Sequence, residues 1–172
     1  MKLIIAEKPS LGRNIAAAIG NMQKRQGYFE NNEYIVTWAF GHLFSLEDIE
    51  YYNPNPDEIR TGDCVVRAIC KLTGWDWDTA YIRLCIEGAL WHRFPDNNIV
   101  WSNLLYKNGY IRTQLPDLCP FCYTVREFAY DYPVGTYLLA LDGHVVTVEN
   151  GNYYDTWDSG DEVPLYFWKG VI

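Results

Sequence analysis

The sequence predicts an α+β fold in two parts, and three observations carry that expectation. Residues 1–52 read as β-α-β-β, residues 62–106 hold three stretches with helical spacing, and from Gly135 onward the apolar runs are strand-like. Helices first and an antiparallel sheet afterwards is an α+β order.

Taken in order, residues 2–6 form a short apolar strand. Glu7-Lys8-Pro9-Ser10 is a turn with Ser10 as N-cap. Ile15, Ala16 and Ile19 then line one face of a helix over residues 11–19 that Gly20 closes. Residues 27–30 and 33–38 make a hairpin about Asn31-Asn32. Pro54 and Pro56 exclude helix and disfavour a paired strand, so residues 53–61 are expected to be a proline-rich linker between a segment 1–52 and a domain 62–172.

Behind Thr61-Gly62, the apolar positions Val65, Ala68 and Ile69 fall on one helical face, which places Cys64 in the first turn. Thr73-Gly74 breaks the chain. Asp76 or Asp78 caps a second helix through Trp77, Ala80, Tyr81, Leu84 and Cys85 to Trp91. A third helix over residues 99–106 is closed by Asn108-Gly109, and a strand begins at Tyr110. Thr124-Val125-Arg126-Glu127 is a capping box that opens a short helix ending before Pro133. Strands over residues 135–141, 144–149, 153–156 and 163–169 complete the chain, and Asn150-Gly151 is a two-residue hairpin turn.

An apolar fraction of 49% suffices for a packed core, and an aromatic share of 16% builds it on rings whose polar tips need partners. The net charge of −8 is uneven. Residues 1–52 carry five Lys/Arg against six Asp/Glu, or −1, and residues 53–172 carry nine against sixteen, or −7. The acidic second part argues against nucleic acid as its partner. No apolar run approaches the ~20 residues that span a bilayer, and no basic stretch leads into an apolar one at the N-terminus. A cytoplasmic protein without a membrane partner is expected, its five cysteines reduced. No cofactor and no metal are expected. Cys119-Pro120-Phe121-Cys122 lacks the second pair of a zinc site and reads as a packed loop before a redox dithiol. Cys70 and Cys85 read as core.

Cys64 is the thiol with chemistry around it. The first turn of a helix presents unpaired N–H groups and the positive end of the macrodipole, which favour a thiolate. If Asn150 and Gly151 are the central turn residues, paired positions sum to 301 and His144 faces Trp157. Side chains alternate with period two, so Asp155 lies on the face of His144, diagonally adjacent. There it can accept a hydrogen bond from one imidazole nitrogen and leave the other to deprotonate Cys64.

Two resemblances follow from these motifs. Met1–Ser10 (MKLIIAEKPS) and residues 34–43 (YIVTWAFGHL) resemble the start of the Toprim domain of type IA DNA topoisomerases. That resemblance implies a role for Glu7 in a magnesium-dependent centre completed by a later Asp-x-Asp pair and a tyrosine domain. Asp76-Trp77-Asp78 has the spacing of such a pair, but no apolar strand leads into it, and DNA relaxation is not expected. Gly62–Val66, Gly143–Val146 and Asp155-Thr156-Trp157 resemble papain-like cysteine peptidases in the order of their elements. This implies Cys64 as nucleophile, His144 as base then acid, Asp155 as orienter and Trp157 as shield. No Gln precedes Cys64, so Asn55 in the linker is the expected substitute oxyanion donor beside the Cys64 N–H.

The expectation is therefore a Toprim-like fragment followed by a papain-like domain that hydrolyses peptide, isopeptide or amide bonds of a peptide or protein substrate. The competing expectation is a catalytically inactive binding or inhibitory protein of phage or mobile-element origin, or a topoisomerase-related DNA-associated fragment.

Overall fold

The structure, a computed structural model, describes residues 1–6, 9–38, 49–115 and 122–171. It is a mixed α+β chain with five helices and two mixed sheets among those residues. Two compact units divide it: Met1–Glu47 with Asp117–Tyr123, and Asp48–Pro116 with Thr124–Ile172. Glu7, His42, residues 39–43 of the topoisomerase-like motif and Cys119 lie outside the described residues.

In the first unit, β1 (Lys2–Ala6), α1 (Pro9–Ile19), β2 (Gln23–Arg25), β3 (Tyr28–Glu30) and β4 (Tyr34–Trp38) give a sheet of order β1-β4-β3-β2. β1 and β4 run parallel, and the remaining pairs are antiparallel. The helix begins at Pro9 rather than after a Ser10 cap, because proline's fixed φ and missing N–H suit a first helical position. The hairpin about Asn31 is present, with Asn31 Oδ1 accepting from the N–H of Glu33 (2.9 Å) and Tyr34 (2.8 Å). Phe29, Val36 and Ala16, all fully buried, centre this unit's core.

The second unit holds β5 (Ile49–Tyr51), α2 (Cys64–Thr73), α3 (Trp77–Trp91), α4 (Asn98–Lys107), β6 (Tyr110–Gln114), α5 (Val125–Asp131), β7 (Thr136–Ala140), β8 (Val145–Glu149), β9 (Asn152–Asp155) and β10 (Tyr166–Gly170). Its sheet has the order β5-β9-β8-β7-β10-β6. Only the β5–β9 pair is parallel, so the sheet is mixed where sequence alone suggested a purely antiparallel one. β5 was grouped with the N-terminal segment on sequence; here it is the edge strand of this sheet. The caps follow their chemistry. Asp76 accepts from Thr79 N–H (2.7 Å), Asn97 from Ile99 N–H (3.0 Å), and Thr124 and Glu127 form the reciprocal capping box.

What positions the site is the placement of α2 along β8. Ile69, Val66 and Ala68 pack with Leu138, Ala140 and Val145 in the main core. Thr147, fully buried, donates its hydroxyl to the Ala68 carbonyl (2.8 Å), and Lys71 pairs with Glu149 (2.7 Å). From Cys64 to Lys71 a helix rises ~10 Å, and from Val145 to Glu149 a strand rises ~13 Å. The two elements therefore run side by side in one direction, and contacts at Ala68 and Lys71 put Cys64 level with the start of β8.

Candidate thiol site

Asp63 occupies the N-cap position of α2, yet its side chain makes no cap bond. Its Oδ1 instead receives Arg67 Nη1 one turn along, and its Oδ2 accepts from Trp77 Nε1 (2.9 Å). The first-turn amides of α2 thus have no carboxylate over them, and the positive end of the helix stays available to Cys64.

His144 stands in the turn before β8, next to Gly143, whose φ of 69° is the left-handed conformation glycine adopts freely. The hairpin register is Thr147↔Tyr154, Val148↔Tyr153 and Glu149↔Asn152, so paired positions sum to 301. The diagonal neighbour across that register is Asp155. His144 Nε2 lies 2.7 Å from Asp155 Oδ2. That leaves Nδ1 for the thiol, and the Cys64 thiol and the imidazole shift each other's pKa, the thiol downward and the ring upward. The Trp157 ring covers the imidazole from 5.3 Å and is itself partly exposed.

Asp155 is buried and fully engaged. Oδ2 also accepts from the Ser159 hydroxyl (2.8 Å), Oδ1 accepts from Thr156 N–H (2.7 Å), and Arg67 Nη2 stands 3.8 Å from Oδ1. Ser159 and Arg67 were not anticipated. Arg67 sits on the buried face that Val66 and Cys70 flank, where a cation without a visible partner gives no sequence signal, and Ser159 lies in an irregular acidic stretch.

The electrostatics follow from these contacts. Burial alone would push the Cys64 thiol up. The hydrogen bond and charge of His144, the Val145 N–H and the Arg67 cation together outweigh it, and the thiol lies below its ordinary value. Burial likewise disfavours imidazolium, but the bonds to Asp155 and Cys64 and their charges raise His144 to about 9. The arrangement sets a thiol of lowered pKa beside an imidazole of raised pKa that a carboxylate backs.

Asn55 is buried, with Oδ1 accepting from Asp57 N–H (3.0 Å), so its oxygen shapes the turn. Asp76-Trp77-Asp78 is spent on starting α3: Asp76 is its cap and Asp78 lies in its first turn. Among the described residues no group of three or more His, Cys, Asp or Glu could hold a metal ion, and no helix is long and apolar enough to cross a membrane.

Comparison with known proteins yields a partial relationship. Over 61 residues, 36% of this chain, it is 57% identical to the Putative DNA topoisomerase 3 of Staphylococcus aureus (strain bovine RF122 / ET3-1) and to the DNA topoisomerase 3 of strains USA300 and NCTC 8325. The chain covers 9% of the length of these relatives. No family model matches, and no solved structure matches.

These findings support a topoisomerase-like segment and correct the peptidase expectation. A papain-like fold has no support from any solved structure or family model. The thiol-protease and hydrolase assignment, with a peptide or protein as main substrate, is overturned by relatives that are DNA topoisomerases. Short motifs can report local geometry correctly and still misreport ancestry, since the same side-chain constellation recurs on unrelated folds.

Proposed function

We propose that the chain joins a topoisomerase-related, DNA-associated unit (Met1–Glu47 with Asp117–Tyr123) to a thiol-bearing unit (Asp48–Pro116 with Thr124–Ile172). The observation that carries the DNA reading is the 57% identity over 61 residues to DNA topoisomerase 3 sequences. Fluorescence anisotropy of labelled single- and double-stranded oligonucleotides over a salt series tests it. Binding that weakens linearly in log[salt] and is reduced by reversing Lys2, Lys24 and Arg25 to Glu supports the reading. No binding at low salt, or binding indifferent to those reversals, overturns it.

A second reading is favoured by one specific observation, the 2.7 Å bond between His144 Nε2 and Asp155 Oδ2, on a ring that lowers the pKa of the Cys64 thiol. In it, Cys64 is a nucleophile toward an electrophilic carbon, His144 carries the proton, Asp155 fixes the ring, and Asn55 and Trp157 support the pocket. Iodoacetamide labelling near pH 6, resolved by peptide mass spectrometry, tests it. Cys64 should label far faster than Cys70, Cys85 and Cys122, and His144→Ala should remove the advantage. Labelling of Cys64 no faster than Cys70 overturns it.

A further inference from the structure

Three groups around the thiol site are assigned no role in the nucleophile reading above: Asp63, Arg67 and Trp77. Arg67 and Asp63 are each 7% exposed, so neither charge is left to water. Asp63 directly precedes Cys64 in the chain. Aspartate at an N-cap ordinarily turns its carboxylate over the first-turn amides. Here that would set a negative charge beside the sulfur and offset the helix end that favours a thiolate. The carboxylate is turned away instead. One oxygen meets Arg67 Nη1, and the other accepts from Trp77 Nε1 at 2.9 Å. The other arm of the same guanidinium reaches Asp155 Oδ1 at 3.8 Å, on the far side of the imidazole.

We propose that Arg67 is a positioning residue for the thiol site: it holds the Asp63 carboxylate off the α2 N-terminus and steadies Asp155 behind His144. This rests on the reading of Cys64 as a reactive thiol. Charge accounting favours it. The groups about the pair are Arg67 from α2, Asp155 from β9, the neutral Ser159 and Trp157 beyond it, and Asp63 at the α2 N-cap, paired to Arg67. Asp63 and Arg67 cancel, which leaves Asp155 as the single carboxylate facing imidazolium. Without Arg67, two buried carboxylates flank a thiolate, and Asp63 is free to swing back to its capping position.

The test is the pH dependence of Cys64 alkylation in the full chain, with each cysteine quantified by mass spectrometry. Arg67→Met should move the half-rate point upward by about one pH unit, which is roughly a tenfold loss of labelling rate at pH values well below the wild-type midpoint. Asp63→Asn/Arg67→Met should recover most of that loss, because a neutral amide can cap α2 without opposing the thiolate. Asp63→Asn alone should leave the half-rate point in place or lower it. Arg67→Lys, which keeps the charge and loses the fork, should fall between wild type and Arg67→Met. An unmoved midpoint in Arg67→Met, or a double variant no better than the single, overturns the proposal. Should Arg67→Met fail to fold, a raised midpoint in Asp63→Asn overturns it independently. If wild-type Cys64 itself titrates as an ordinary thiol near pH 8.5, the underlying thiol reading fails, a result distinct from either.

Discussion

Replacing Asp155 with Asn keeps shape and removes charge at the point on which the imidazole depends. The carboxylate receives His144 Nε2 at 2.7 Å and the Ser159 hydroxyl at 2.8 Å on one oxygen, and Thr156 N–H at 2.7 Å on the other. An amide supplies one oxygen, so its NH₂ must face at least one donor. The bond from imidazolium to carboxylate is charge-assisted, and such bonds contribute ~1.5–3 kcal/mol against ~1 kcal/mol for neutral ones. Losing the charged component, ~0.5–2 kcal/mol, lowers the His144 pKa by roughly half a pH unit to one and a half from about 9. The thiolate loses cation in step, so Cys64 rises toward its ordinary value.

Two-dimensional NMR of the histidine rings, titrated from pH 5 to 10, reads the first change directly. His144→Ala assigns the signal against His42 and His92. Thiolate absorbance near 240 nm reads the second. An Asp155→Asn protein that is folded, yet titrates His144 within ~0.3 of wild type, would refute the coupling, since the shift would then come from Cys64 rather than from the carboxylate.

The other predictions use the same contacts. Because His144 is raised from 6.5 to about 9, its stabilisation is fully present below pH 6.5 and disappears as pH climbs through 9. Screening at a half-buried ring limits this to ~1–2 kcal/mol, so chemical denaturation should find His144→Ala destabilised near pH 6 and close to wild type near pH 10. Thr147→Val removes the hydroxyl bond to the Ala68 carbonyl (2.8 Å) at constant shape and should cost ~1 kcal/mol by urea unfolding, a value under 0.3 kcal/mol counting against the contact. Gly88→Ala should destabilise by ~2 kcal/mol or more, reversing the usual preference for alanine in a helix, because the added Cβ would stand 2.6 Å from the Arg93 carbonyl oxygen. A stabilised Gly88→Ala protein would show that the α3 C-terminus relaxes freely.

Local chemistry was legible in the sequence to the extent that it is written in short spacings. Thr124 with Glu127, the Asp76/Asp78 pair and the Asn150-Gly151 turn each specify a cap or a register by themselves. The register in turn carried His144 to Asp155, because period-two alternation is the one long-range rule a hairpin obeys. β2, by contrast, has the sequence Gln-Lys-Arg and is wholly exposed, so it has no hydrophobic pattern to read. The parallel pairing of β5 with β9 joins residues about a hundred positions apart, and nothing local encodes it. Arg67 and Ser159 escaped notice for a related reason: a buried polar residue declares itself only through partners, and theirs come from elsewhere in the chain. The papain-like resemblance rests on motif order alone, and no family model or solved structure supports it.

Within α2 two thiols show how far position governs reactivity. Cys64 is half-buried at the first turn, and Cys70 is buried in the last. Desolvation raises both, so burial alone does not separate them. At Cys70 the charges of Asp76 and Asp63 reinforce burial, its pKa reaches about 12, and the thiol packs as a small apolar group. At Cys64 the imidazole, the Val145 N–H and Arg67 oppose burial and prevail. The same carboxylate, Asp63, raises the distant thiol while Arg67 draws it away from the near one. A helix start is therefore insufficient to make a thiolate here; the neighbouring carboxylate must also be held aside, and α2 supplies the cation that holds it four residues after the cap.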